Sequence, residues 1–244
     1  MTAQPCKING LYTVNLLPHR VAFHDARPGW EAERLASMHE TVEPGWCIYD
    51  LGAESGDFTS LYRKWVGLNG SVVPVEPSPP YWAEIRQTWE ANGFKPPWDW
   101  FAGFVSDTTD LNPPNDVDAY ARAAVDGWPA SARWEVQPEF GFRHLAQQAD
   151  CTPQITIDDL VKRAVYPPDA IVMDIEGAEL RALEGAQVTL AERRPVMWVS
   201  IHPGTLAEWY GATREDIHAL MNWYDYAPTL LGQDSEEYWR YDPL

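Results

Sequence analysis

Residues Ile48-Tyr-Asp-Leu-Gly-Ala-Glu-Ser-Gly-Asp-Phe58, followed by Val72-Val-Pro-Val-Glu76-Pro77, carry the pattern that decides the fold. A short apolar strand ends in Asp50 and a glycine turn, a helical pattern follows, and a second apolar strand ends in a carboxylate. Glu76 stands 20 residues after Gly56, where a strand-end carboxylate can accept both hydroxyls of a ribose. Only Gly52 and Gly56 punctuate the loop, with Ala53-Glu54-Ser55 between them. A dinucleotide's pyrophosphate needs closer backbone approach, hence the usual G-x-G-x-x-G, and Glu54 and Asp57 would set negative charge against phosphates. S-adenosylmethionine has no phosphate and carries a sulfonium and an ammonium. An acidic loop opening with Asp50 therefore suits it better than NAD.

Outward from this stretch the pattern alternates. A strand runs to Leu51, a helix covers Phe58 to Val66, Asn69-Gly70 turns the chain, and a strand covers Ser71 to Val75. A helix over Tyr81 to Asn92 and a third strand over Trp98 to Val105 follow, which predicts a mostly parallel α/β sheet with helices on both faces. From about 108 to 150 the chain is polar and Pro-rich and reads as an inserted substrate lid. Order returns at Ile155 to Leu160, then as a buried strand over Ala170 to Met173, a helix over Glu179 to Arg193 and a strand over Val196 to Ile201. Thr213 caps a further helix, and the tail from Pro228 to Tyr241 suits closing antiparallel strands. Residues 1–45, with a helical pattern around Glu31 to Glu40, read as an N-terminal helical cap without recognisable chemistry. Residues 46–244 read as one domain.

The net charge of −18 opposes binding to a nucleic-acid backbone or an anionic membrane surface. Cys6, Cys47 and Cys151 have neither the number nor the spacing of a disulfide framework or zinc site, which fits a reducing compartment. The polar N-terminus and strand-length apolar runs give no expectation of a signal peptide or spanning helix, so a cytoplasmic protein is expected. A homo-oligomer is compatible with the sequence. The 13 tryptophans, several between Pro79 and Trp134, are expected mainly in packing, with one or two available to a substrate pocket.

Asp50, Gly52, Ala53, Gly56 and Glu76 are the expected cofactor contacts, and Asp107 in Gly103-Phe-Val-Ser-Asp107 is placed to read an adenine amino group. Taken singly, Asp50 is also an ordinary helix cap and either glycine an ordinary turn; together with Glu76 in register they describe a pocket. The second cluster is Met173-Asp-Ile-Glu-Gly-Ala-Glu179. Strand alternation puts Asp174 and Glu176 on one side at the carboxyl edge, while Glu179 can simply complement a helix dipole. The carboxylates can orient substrate hydroxyls, act as general base or hold a divalent metal. The first two are favoured, because no fourth ligand is evident. His202 ends the next strand at the same edge, where it is either a proton acceptor or a structural histidine.

These segments resemble the FkbM family of S-adenosylmethionine-dependent methyltransferases. The resemblance rests on Tyr49 to Thr59, Val75-Glu-Pro-Ser-Pro79, Val105-Ser-Asp107, Ile155 to Leu160, Asp174-Ile-Glu-Gly-Ala-Glu179 with Leu183-Glu-Gly-Ala186, and Ile201-His-Pro203, in the family's order. It implies a Rossmann-like class I methyltransferase fold that uses S-adenosyl-L-methionine, commonly to methylate a hydroxyl of a sugar or secondary metabolite. Asp50, Gly52, Gly56 and Glu76 would bind cofactor, and Asp174, Glu176 and His202 would lie at the reaction centre. Val172 stands where the family often has Lys, and Ser200 where it often has an acid. The expected function is O-methylation of a saccharide or other hydroxylated small molecule. The rivals are a catalytically silent cofactor-binding scaffold and an NAD-dependent oxidoreductase.

Overall fold

Alternation along four strands sends their side chains to opposite faces of one sheet, and each face buries its own core. The computed structural model describes residues 2–113, 123–133 and 152–244. A hairpin of β1 (Gln4–Ile8) and β2 (Tyr12–Leu16) opens the chain, followed by α1 (Pro18–Asp25) and α2 (Ala32–Thr41). Next come β3 (Cys47–Leu51), α3 (Asp57–Trp65), β4 (Ser71–Val75), α4 (Pro79–Ala91) and the two-residue strand β5 (Phe104–Val105). Beyond it lie the small hairpin β6 (Ala124–Val125) and β7 (Trp128–Pro129), β8 (Gln154–Ile155), α5 (Ile157–Arg163), β9 (Ala170–Met173) and α6 (Glu179–Glu184). The chain closes with β10 (Val196–Ile201), α7 (Pro203–Tyr210), α8 (Arg214–Trp223), β11 (Tyr226–Gln233) and β12 (Glu237–Pro243).

The central sheet has the order β11-β12-β10-β9-β3-β4. The run β10-β9-β3-β4 is parallel, and β12 and β11 extend it antiparallel, so the sheet is mixed. Tyr49, Leu51, Val73, Ile171, Met173 and Val199 face a core shared with α5, α6 and α8. Ile48, Val72, Val172 and Trp198 face the opposite core, shared with the N-terminal hairpin, α2, α3 and α4. The same alternation sends Asp50 and Ser200 to the α2 side, at the carboxyl ends of β3 and β10. Among the described residues, no helix is long and apolar enough to cross a membrane.

Four local expectations are revised. The N-terminal segment holds a hairpin as well as helices: Asn9 and Gly10 both have positive φ, 52° and 71°, as an Asn-Gly turn demands. The third strand shrinks to Phe104–Val105 plus one bridge from Phe101 to Val75. Pro96 and Pro97 withhold backbone donors before it, and a side chain at Gly103 would come within 2.4 Å of the Pro153 carbonyl oxygen. The helix expected to reach Arg193 stops at Glu184 with Gly185 as its C-cap, where the missing side chain lets the Ser106 carbonyl oxygen approach; a separate π-helical turn covers Thr189–Arg193. Of the lid expected over 108–150, residues 123–133 pack against α4, where Trp128 is buried edge-on to Trp89. None of those lines the cavity described next, and residues 114–122 and 134–151 lie outside the described part.

Candidate active site

The glycine loop after β3 closes against the loop after β9. A Cβ on Gly52, at φ 93°, would fall 1.8 Å from the Asp174 carbonyl oxygen, so only glycine permits this approach. Asp174 N donates to Leu51 O at 2.9 Å, which fixes the second acidic motif directly beside the first. Gly56, at φ 78°, lets α3 start against Ile85 of α4, whose Cα would lie 2.9 Å from an added Cβ.

One cavity of about 890 Å³ runs along this junction. At one end Glu76 is buried and its carboxylate accepts from Glu54 N at 3.0 Å and Ser78 N at 2.8 Å. Burial pushes Glu76 up to about 7, against the pull of those two amides. Asp50 is buried in the wall, accepts from the Thr59 hydroxyl, and is pushed up by burial to about 6. Ala53 lies between them, and Gly103 to Ser106 continue the wall. Asp107 is not part of it: its carboxylate accepts from Arg181 at 2.6 Å and from Ser106 Oγ at 3.1 Å. The negative charge of the loop is partly answered, since Arg20 of α1 pairs with Glu54 at 3.2 Å and Asp57 at 2.7 Å. Burial opposes ionisation of Asp57, but Arg20 and His24 outweigh it and hold the group below its ordinary range. The preference over a dinucleotide therefore rests on the missing middle glycine more than on loop charge.

At the other end Asp174, Glu176 and Glu236 enter the cavity wall. Glu176 reaches the cluster through a left-handed turn, with φ 57° at Glu176 and 105° at Gly177, and not by continuing the alternation of β9, which ends at Met173. His202 stands behind them. Its Nε2 lies 3.6 Å from Asp174 Oδ1, 3.6 Å from Glu176 Oε2 and 3.1 Å from Glu236 Oε2. Nδ1 donates to Glu179 Oε1 at 2.9 Å, an oxygen that also accepts from Gly177 N at 2.9 Å. Burial alone would lower His202, yet Glu179, Glu236 and Asp174 outweigh it and push the imidazole up to about 12. It holds its proton at neutral pH and is poorly suited to accept one. Asp174 is raised, first by burial and then by the Glu236 carboxylate, towards the range useful to a general base.

The N-terminal segment supplies chemistry that its sequence did not reveal. Arg34 of α2 is buried, donates to Ser200 Oγ at 3.1 Å, pairs with the buried Glu31, and lies 3.9 Å from Asp174 Oδ2. Burial pushes Glu31 up to about 8 despite Arg34. Trp30, stacked on Phe58 with centroids 5.4 Å apart, forms an aromatic wall with Phe23. The Tyr62 hydroxyl, also in the wall, is buried and has no hydrogen-bond partner. Arg34, Trp30 and Glu236 lack a local motif; the helical period around Glu31 to Glu40 was the only available hint of a face turned inward.

A parallel α/β sheet extended by an antiparallel pair, with a glycine loop and a strand-end carboxylate beside a carboxylate-lined cleft, is the architecture of class I S-adenosylmethionine-dependent methyltransferases. The family model described as "Methyltransferase FkbM domain" matches residues 50–227, and the chain belongs to that family. Among solved structures it is similar to the methyltransferase FkbM from Methylobacillus flagellatus KT, with 17% identity and a TM-score of 0.52 over 82% of this chain and 44% of that one. The chain thus spans less than half the length of that protein. A putative rRNA-methylase from Clostridium thermocellum matches with 10% identity and a TM-score of 0.52, over 87% of this chain and 96% of that one. At these identities the likeness speaks for the fold. No curated protein matches the chain.

Proposed function

We propose that the protein transfers the methyl group of S-adenosylmethionine to a hydroxyl of a saccharide or other hydroxylated small molecule. The observation that carries this reading is the single cavity joining the Glu76 carboxylate to Asp174 and Glu236. Its first half suits an adenosyl group, with Glu76 accepting the ribose hydroxyls and Asp50 facing the cationic amino-acid end. Its second half offers acceptors for hydroxyls and an aromatic wall at Trp30 and Phe58 for an apolar sugar face. The same carboxylates disfavour a phosphate-rich acceptor.

The acceptor oxygen attacks the methyl carbon as the carbon–sulfur bond breaks. A methyl ether and S-adenosylhomocysteine form, and the hydroxyl proton passes to Asp174. Alignment supplies most of the rate, since proximity contributes roughly 7–11 kcal/mol in well-oriented reactions. His202, held by Glu179, keeps the carboxylates in place as a cationic neighbour. Incubation with methyl-labelled S-adenosylmethionine and a panel of free sugars, glycosides and polyols, with amine and thiol acceptors alongside, tests the reading. One acceptor is expected to gain label with equimolar S-adenosylhomocysteine. Labelling confined to amine or thiol acceptors would contradict O-methylation.

A further inference from the structure

Asp174 and Glu176 follow β9, His202 follows β10, and Glu236 sits in the turn between β11 and β12, so three separate parts of the chain converge on one point. We propose that Asp174, Glu176 and His202, with Glu236 beside His202 Nε2, form a site for one divalent cation of the Mn²⁺ or Mg²⁺ class. Ligand atoms of Asp174, Glu176 and His202 all lie within 4.8 Å of one another. The gaps from His202 Nε2 to the three carboxylate oxygens are 3.1–3.6 Å. Two ligands each ~2.1 Å from a shared ion are themselves ~3.0–3.5 Å apart at octahedral to tetrahedral angles.

Two further features point to an ion beyond mutual ion pairing. Glu236 is only 9% exposed, and its buried Oε2 has one neighbour of opposite charge, His202 Nε2 at 3.1 Å, the nitrogen an ion would occupy. Glu179 is fully buried and takes the Nδ1 proton of His202, the carboxylate–imidazole pairing that orients a metal-binding histidine and leaves Nε2 for the ion. Charge agrees: Asp174, Glu176, Glu179 and Glu236 crowd around one guanidinium, Arg34, and one imidazole. Arg34 approaches Asp174 Oδ2, so Oδ1 is left to the ion while Oδ2 can still accept the hydroxyl proton. One nitrogen and several carboxylate oxygens suit Mn²⁺ or Mg²⁺ better than a thiolate-loving metal. Resting on the methyltransferase reading, the ion would bind the acceptor's oxygen, lower its pKa and hold it towards the methyl group. An ion on Nε2 takes the place of the proton there.

The test is titration of chelator-stripped protein with Mn²⁺, in the absence of cofactor, read by loss of the free-ion electron paramagnetic resonance signal. One Mn²⁺ per chain is expected, competed by Mg²⁺. Glu236→Gln and His202→Gln should each weaken binding at least tenfold, and Glu192→Gln, on the exposed surface, should leave it unchanged. S-adenosylhomocysteine binding by each variant reports that it is folded. No immobilised Mn²⁺ at millimolar concentration, or binding that survives both site substitutions, overturns the proposal. A protein that binds S-adenosylhomocysteine but not Mn²⁺ defeats the ion alone, whereas failure to bind S-adenosylhomocysteine defeats the functional reading.

Discussion

Replacing Asp174 with Asn is expected to lower methyl transfer by ~10²–10⁴-fold, the range general bases contribute, while S-adenosylhomocysteine affinity stays within about threefold. The side chain keeps its shape, and its backbone remains tied to Leu51 O, so the cofactor loop packed on it at Gly52 is undisturbed. Removing one negative charge from this cluster of carboxylates also relieves repulsion from Glu236 and Glu176, so unfolding is not the expected consequence. What is lost is an oxygen able to take the hydroxyl proton at neutral pH. Single-turnover transfer to the best acceptor, alongside calorimetric titration, separates the two effects. Turnover within fivefold of the parent protein would move the base away from Asp174.

Replacing Glu76 with Ala should weaken S-adenosylhomocysteine by about two orders of magnitude or more. Each charge-assisted hydrogen bond contributes roughly 1.5–3 kcal/mol, and two ribose hydroxyls are at stake. The change also strips the Glu54 and Ser78 amides of their acceptor. The pH dependence has a definite sign. Burial pushes Glu76 up to about 7, and ribose hydroxyls donate best to the charged carboxylate, so the bound state holds fewer protons than the free one. Affinity therefore rises with pH through about 7 and levels off above it, a gain of about tenfold between pH 6 and pH 8. Calorimetry at the two pH values checks this, and the Glu76→Gln variant should lose the slope. An unchanged slope in that variant would assign the titration to another group.

The parts legible in the sequence are those written locally. Asp50, Gly52, Gly56 and Glu76 lie within one strand–helix–strand unit, so spacing alone places Asp50, Gly52 and Glu76 in one cavity wall, while Gly56 packs α3 against Ile85 behind it. Asp174 and His202 end adjacent parallel strands, which brings them together once the strand order is right. Arg34 could not be placed this way: its hydrogen bond to Ser200 spans 166 positions and depends on how α2 docks on the sheet. Glu236 lies 62 positions beyond Asp174, outside the local pattern, and so could not be counted as the fourth ligand that the sequence reading lacked. Arg34 also gives meaning to the two departures from the family pattern. With Val172 apolar and Ser200 neutral, the cation beside Asp174 arrives from α2, and Ser200 is its hydrogen-bond acceptor. Asn9-Gly10 is a hairpin signal that the reading of residues 1–45 as a helical cap leaves out. The strand expected over Trp98 to Val105 is reduced to two residues, with Pro96 and Pro97 before it and Gly103 at its start.

Calorimetric titration of the purified protein with S-adenosylhomocysteine and, separately, with NAD, both in the presence of EDTA, decides between the two cofactor classes. The cavity that joins Glu76 to Asp174 predicts saturable binding of S-adenosylhomocysteine at one site per chain and none of NAD. Binding of NAD alone, or of neither ligand, would contradict it.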